Sequence, residues 1–173
     1  MTEQKRSKWF WVGILVPVAI VVISAATWVA GYLSSADGTV VGDCYAVTTF
    51  GDVDAEPAKA DCGSIEANTK LGAKAESGDA CPQGEYDQLT VDRTFSSYKL
   101  CMMINARQGD CFENFLADSV AYQKVECSDP TKDAEVVKVI EGASGDTACD
   151  DTGATDLKSY STPPSTVCVK AGK

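Results

Sequence analysis

The chain contains no histidine. The commonest general base and the commonest metal ligand are therefore absent. Ser-His-Asp, Cys-His and H-E-x-x-H chemistry are excluded with them. No two cysteines stand in a C-x-x-C spacing, so thioredoxin-like redox centres and zinc ribbons lack their motif. Positive charge is also scarce, with 15 Lys and Arg against 25 Asp and Glu. From Trp9 to Leu33 charge of either sign is missing altogether.

That uncharged run is long enough to cross a bilayer, which takes about 20 apolar residues. Lys5, Arg6 and Lys8 precede it, and the first charge after it is Asp37. The positive-inside rule makes residues 1–8 a cytoplasmic tail, 9–33 a transmembrane helix and 34–41 an outer linker. Trp9, Phe10 and Trp11 mark one interface, with Trp28 and Tyr32 at the other. A cleaved signal peptide is the competing reading, with Ser24-Ala25-Ala26 as the cleavage site. The run continues through Trp28, Val29 and Leu33, which favours an uncleaved anchor. Ala26 and Ala30 are four apart, as are Thr27 and Gly31. Small residues so spaced form an expected helix-packing face toward other membrane helices.

Beyond the anchor, 12 basic residues face 24 acidic ones, a net charge of −12. This surface repels nucleic acid and anionic lipid. It attracts cations or basic partners, and it also keeps an exported domain soluble.

All eight cysteines lie in this outer part, in a repeated order. Gly42-Asp43-Cys44 is followed by Cys62, by Ser77-Gly78-Asp79-Ala80-Cys81 and by Lys99-Leu100-Cys101-Met102. Gly109-Asp110-Cys111 is followed by Cys127, by Ser144-Gly145-Asp146-Thr147-Ala148-Cys149 and by Thr166-Val167-Cys168-Val169. This is a tandem duplication: residues 42–104 and 109–173 are two similar four-cysteine units. Units this small bury a modest core, and disulfides supplement it on the oxidising side of a membrane. The expected fold is a transmembrane α-helix plus a β-rich (α+β), disulfide-stabilised extracytoplasmic domain.

Strands are expected at Tyr45–Phe50, Lys99–Ile104, Ala121–Cys127, Glu135–Ile140 and Thr166–Lys170. Short helices are expected near Glu85–Thr94 and Cys111–Asp118. In each Gly-Asp-Cys triplet, Gly permits the turn, Asp accepts backbone N–H groups and Cys anchors the next strand. Neither Asp43 nor Asp110 has a partner base, so neither is read as catalytic. Asp52, Asp54 and Glu56 alternate, but Pro57 stands where a calcium loop needs glycine and Gly63 where it needs glutamate. Asp150, Asp151 and Asp156 make a second acidic run. Both runs read as solvated loops. No metal, cofactor or catalytic residue is assigned.

Gly109-Asp110-Cys111, Val125-Glu126-Cys127-Ser128-Asp129-Pro130 and Ala134-Glu135-Val136-Val137 follow a G-D-C … V-x-C-x-x-P … A-E-V order. In this the second unit resembles the LppU-like and septum-formation-type extracytoplasmic domains of actinobacterial envelope proteins. The likeness covers about half of that unit, and the first unit is a fainter copy. Those domains often carry histidine after the proline, where Thr131 stands here. The resemblance implies envelope location rather than a chemistry. The layout is also similar to accessory subunits of the actinobacterial cytochrome bcc–aa3 supercomplex.

Four cysteines in one unit allow three connectivities, and the sequence does not choose among them. The resembling domains often retain only the Gly-Asp-Cys and V-x-C positions. That implies Cys44–Cys62 and Cys111–Cys127, with Cys81–Cys101 and Cys149–Cys168 as the remaining bonds. Each would close a loop of about 15–20 residues, worth about 3 kcal/mol.

The sequence thus describes a non-catalytic, single-pass membrane protein that docks to integral membrane partners. A free-standing envelope protein binding a cation, peptide or cell-wall ligand is the alternative.

Overall fold

The computed structural model describes residues 38–53, 57–76, 78–94, 96–117 and 120–172. The expected membrane helix at 9–33, with Ala26, Thr27, Ala30 and Gly31, lies outside the described residues. Among the described residues no helix is long and apolar enough to cross a membrane.

A run of apolar residues without alternation needs cover on both faces of a sheet. Leu100-Cys101-Met102-Met103-Ile104 is such a run, and every residue in it is buried. It ends β6 (Ser96–Ile104). Leu100 and Met102 point into a cluster with Tyr45, Leu71, Leu89 and Val91. Cys101 and Met103 point the other way, into a larger cluster with Phe112, Tyr122, Val136, Tyr160 and Val169. The first cluster draws mostly on the first unit, and the second draws on both.

The strands before β6 are β1 (Cys44–Ala46), β2 (Gly51–Val53), β3 (Ala58–Ala60), β4 (Thr69–Glu76) and β5 (Asp87–Arg93). They form a six-stranded sheet in the order β2-β5-β6-β4-β1-β3. After β6 come β7 (Cys111–Glu113), β8 (Gln123–Val125), β9 (Ala134–Glu141), β10 (Asp156–Ser161) and β11 (Pro164–Ala171). These form a five-stranded sheet in the order β10-β11-β9-β7-β8.

The duplication reaches the hydrogen-bond register. Strip β2 from the first sheet and the remaining order, β5-β6-β4-β1-β3, matches the second sheet strand for strand. Every matched pair is antiparallel, whereas the added β2 lies parallel to β5. Both sheets carry a bulge at the same place. Gly72 is the extra residue opposite Cys101 and Met102, and Val137 is the extra residue opposite Cys168 and Val169.

The four disulfides are Cys44–Cys62, Cys81–Cys101, Cys111–Cys127 and Cys149–Cys168. Each stays inside its own unit and follows the consecutive order. One bond in each unit joins the start of the first strand to the residues just after its neighbour. The other ties a loop to the buried centre of β6 or β11. The loops span 18, 20, 16 and 19 residues, so each closure contributes about 3 kcal/mol in the chain-entropy model.

Four expectations are corrected. Glu85–Thr94 is not a helix but contains β5, paired with β6 from Asp87 to Arg93. Leu89 and Val91 alternate onto one buried face, and that pairing outweighs the local helix preference. Cys111–Asp118 is not a helix either. Cys111–Glu113 is β7, Asn114 takes a left-handed φ of 58°, and a turn follows to Ala117, while Asp118 lies outside the described residues. A left-handed residue stops a right-handed helix. The strand expected over Tyr45–Phe50 ends at Ala46, because the Val47 amide donates to the Asn68 side chain instead of a neighbouring strand. The strand expected over Ala121–Cys127 is regular only from Gln123 to Val125. β4 and β10 carry no sequence expectation, since their polar and small residues obscure the alternation.

Candidate functional site

The Gly-Asp-Cys triplets are structural hinges. Gly42 and Gly109 adopt φ of 97° and 89°, a region open to glycine. The Asp43 carboxylate accepts the Val40 amide at 2.7 Å, and the Asp110 carboxylate accepts the Arg107 amide at 2.9 Å. The same oxygens hold Lys59 at 2.7 Å and Lys124 at 3.3 Å, on the neighbouring strand of each unit. The hydrogen bond from Lys59, then that from Val40, keeps the Asp43 carboxyl below the ordinary aspartate range. Burial pulls the Lys124 ammonium down, with Asp110 opposing.

The two units lock through buried polar groups. Asn68 is completely buried. Its carbonyl accepts the Val47 amide at 2.9 Å, while its amide donates to Val47 O and across the units to Tyr122 O, both at 2.7 Å. The Ile104 amide donates to the Tyr160 hydroxyl at 3.0 Å. The Tyr86 hydroxyl donates to Thr162 O at 2.6 Å and accepts the Thr162 amide at 2.8 Å. The segment before β5 also runs along β10: Glu85 N donates to Ser159 O at 2.9 Å, and Ser161 N donates to Gln83 O at 3.0 Å. Thr49 and Val120 make a further antiparallel bridge.

At this junction lies a groove of about 420 Å³. One wall comes from Glu85, Tyr86 and Asp87 of the first unit. The second unit supplies Phe115 to Ala117 and Asp156 to Lys158. One Asp87 oxygen accepts the Tyr122 hydroxyl at 2.9 Å and holds Lys158 at 3.3 Å. The Lys158 ammonium also lies over the Tyr122 ring at 5.3 Å and the Phe115 ring at 5.9 Å. Leu116, at the edge of this recess, is 63% exposed. Burial pushes the Glu85 carboxyl up, Lys158 opposes this, and Asp156, Asp146 and Asp87 add to it.

None of these residues stands out in the sequence. Asp87 and Lys158 are 71 positions apart, and nothing local links them. Among the described residues no group of three or more Cys, Asp or Glu is arranged to hold a metal ion. Asp52 is exposed in β2, Asp150 and Asp151 lie in a turn, and Asp156 begins β10; Asp54 and Glu56 lie outside the described residues. No protein-family model, curated protein or solved structure matches the chain.

The junction makes a prediction about alkaline pH. Burial raises the phenols of Tyr122 and Tyr160 well above the ordinary tyrosine range. In the unfolded chain they ionise near pH 10. Above that pH the unfolded state releases protons that the folded state keeps, so stability is complete below about pH 10 and falls as pH rises. In a spectrophotometric titration, these two tyrosines should ionise only as the tyrosine circular dichroism collapses. Ordinary titration of every tyrosine with the dichroism intact would contradict the buried placement.

Proposed function

We propose that the chain is a non-catalytic, single-pass membrane protein whose outer domain docks onto the integral membrane subunits of a larger complex. The actinobacterial respiratory bcc–aa3 supercomplex is the candidate assembly, because its accessory subunits share this layout. The uncharged run Trp9–Leu33 behind Lys5, Arg6 and Lys8 supports the anchor and its orientation. Four disulfides support placement on the oxidising side.

The observation that carries the docking reading is the use of polar groups at the junction. Asp87, Lys158 and Tyr122 satisfy one another, and Asn68 and Tyr160 are committed to backbone groups. Buried polar groups that are paired in this way rigidify a fold, and pre-organised surfaces lose little entropy when they bind.

Copurification after mild detergent extraction tests this reading. A stable multi-subunit assembly is expected, and Ala30→Leu should weaken it by blocking close approach of helix backbones while the outer domain stays folded. Recovery of the wild-type chain as a lone monomer would favour the free-standing binding protein.

A further inference from the structure

We infer that the groove between the two four-cysteine units receives a peptide segment of a partner protein carrying Lys or Arg beside an apolar side chain. The inference rests on the docking reading and assigns the contact to one place.

The groove has two kinds of wall. Leu116 and Ala117 are exposed, over a floor that includes the buried rings of Tyr86 and Phe115. An apolar side chain from a partner could cover Leu116 and remove that surface from water. The opposite character comes from Glu85, Asp87 and Asp156, three carboxylates facing one ammonium, Lys158. Lys158 is already held by Asp87 and by two aromatic rings. Negative charge is thus left over at Glu85 and Asp156, and Asp146 acts on Glu85 in the same sense.

Charge selects the occupant. The outer chain carries 12 basic against 24 acidic residues, so a second copy meets repulsion. Anionic lipid is repelled for the same reason. A cationic segment is attracted, and a low-dielectric rim focuses that attraction. An apolar neighbour on the same segment matches Leu116.

Glu85→Gln and Asp156→Asn separate this binding from folding. Glu85 makes no hydrogen bond or ion pair through its side chain among the described residues. An Asp156 oxygen accepts the Leu157 amide at 2.7 Å, and asparagine keeps that acceptor. The probe is a capped hexapeptide of alternating Lys and Leu, with the Glu-Leu hexapeptide as control, titrated into the full chain in detergent and followed by NMR. The Lys-Leu peptide is expected to shift Glu85, Leu116 and Asp156, and the double variant to bind it at least about fivefold more weakly. The Glu-Leu peptide should not bind. Failure to shift these residues, or equal binding by the double variant, overturns the groove assignment. Membrane copurification of the same double variant keeps the two readings distinguishable. If it still assembles with its complex while wild type ignores the peptide, docking stands and the groove is not its seat.

Discussion

Gly84→Ala is expected to disrupt the junction of the two units more than any other single methyl group. Gly84 lies just before β5 with φ of 133°, a conformation that side chains with a Cβ rarely adopt. It forms a bridge with Tyr160 across the units. A Cβ there would lie 2.4 Å from the Ser159 carbonyl oxygen and 2.9 Å from Tyr160 Cα. Both are backbone atoms in β10, so no side-chain rotation relieves the overlap. Backbone strain and overpacking together should remove about 3–5 kcal/mol. Domains of this size have about 5–15 kcal/mol in all. Guanidinium unfolding of the full chain would measure the loss. Tyrosine dichroism is the suitable probe, because all three tryptophans, Trp9, Trp11 and Trp28, precede the disulfide-bonded β domain. A change of under about 1 kcal/mol would mean that the strand segment shifts freely and that the units are not locked there.

Asn68→Ala should be nearly as damaging. It leaves the Val47 amide and the Tyr122 carbonyl without their partner in a fully buried place. The Val47 carbonyl keeps the Gln123 side chain as a donor, at 2.7 Å. Two unsatisfied buried groups and a small cavity cost about 3–4 kcal/mol. Asn68→Asp distinguishes hydrogen bonding from volume. Aspartate has nearly the same shape and keeps the acceptor for Val47, yet it supplies no donor for Tyr122 and introduces a buried charge. It should therefore be no better than alanine at neutral pH and should recover partly in acid, where its protonated carboxyl can donate. If aspartate matched wild type at pH 7, the donation to Tyr122 would not be holding the units together.

These two positions mark where the amino-acid order stops being readable. The duplication was visible in the linear chain because Gly-Asp-Cys and the later cysteines recur in one order. The triplets' roles were visible too, since a left-handed glycine and a carboxylate over a nearby amide are local events within three residues. Lys99–Ile104 and Thr166–Lys170 announced themselves as strands through apolar and β-branched runs. The helix expected near Glu85–Thr94 failed because its alternation is short and gains its meaning only from pairing with β6.

The relation between the units was of another kind. Asn68 reaches Tyr122 across 54 positions, Tyr160 reaches Ile104 across 56 and Lys158 reaches Asp87 across 71. Hydrophobic periodicity reports which face of an element is buried, not what covers it. A buried asparagine and a solvated one look alike in sequence, and so do a groove carboxylate and a loop carboxylate. Only packing the larger cluster from both sheets brings Glu85, Leu116 and Asp156 to one recess, because burial of that shared apolar surface sets the sheets' approach and the polar groups must then pair where they meet.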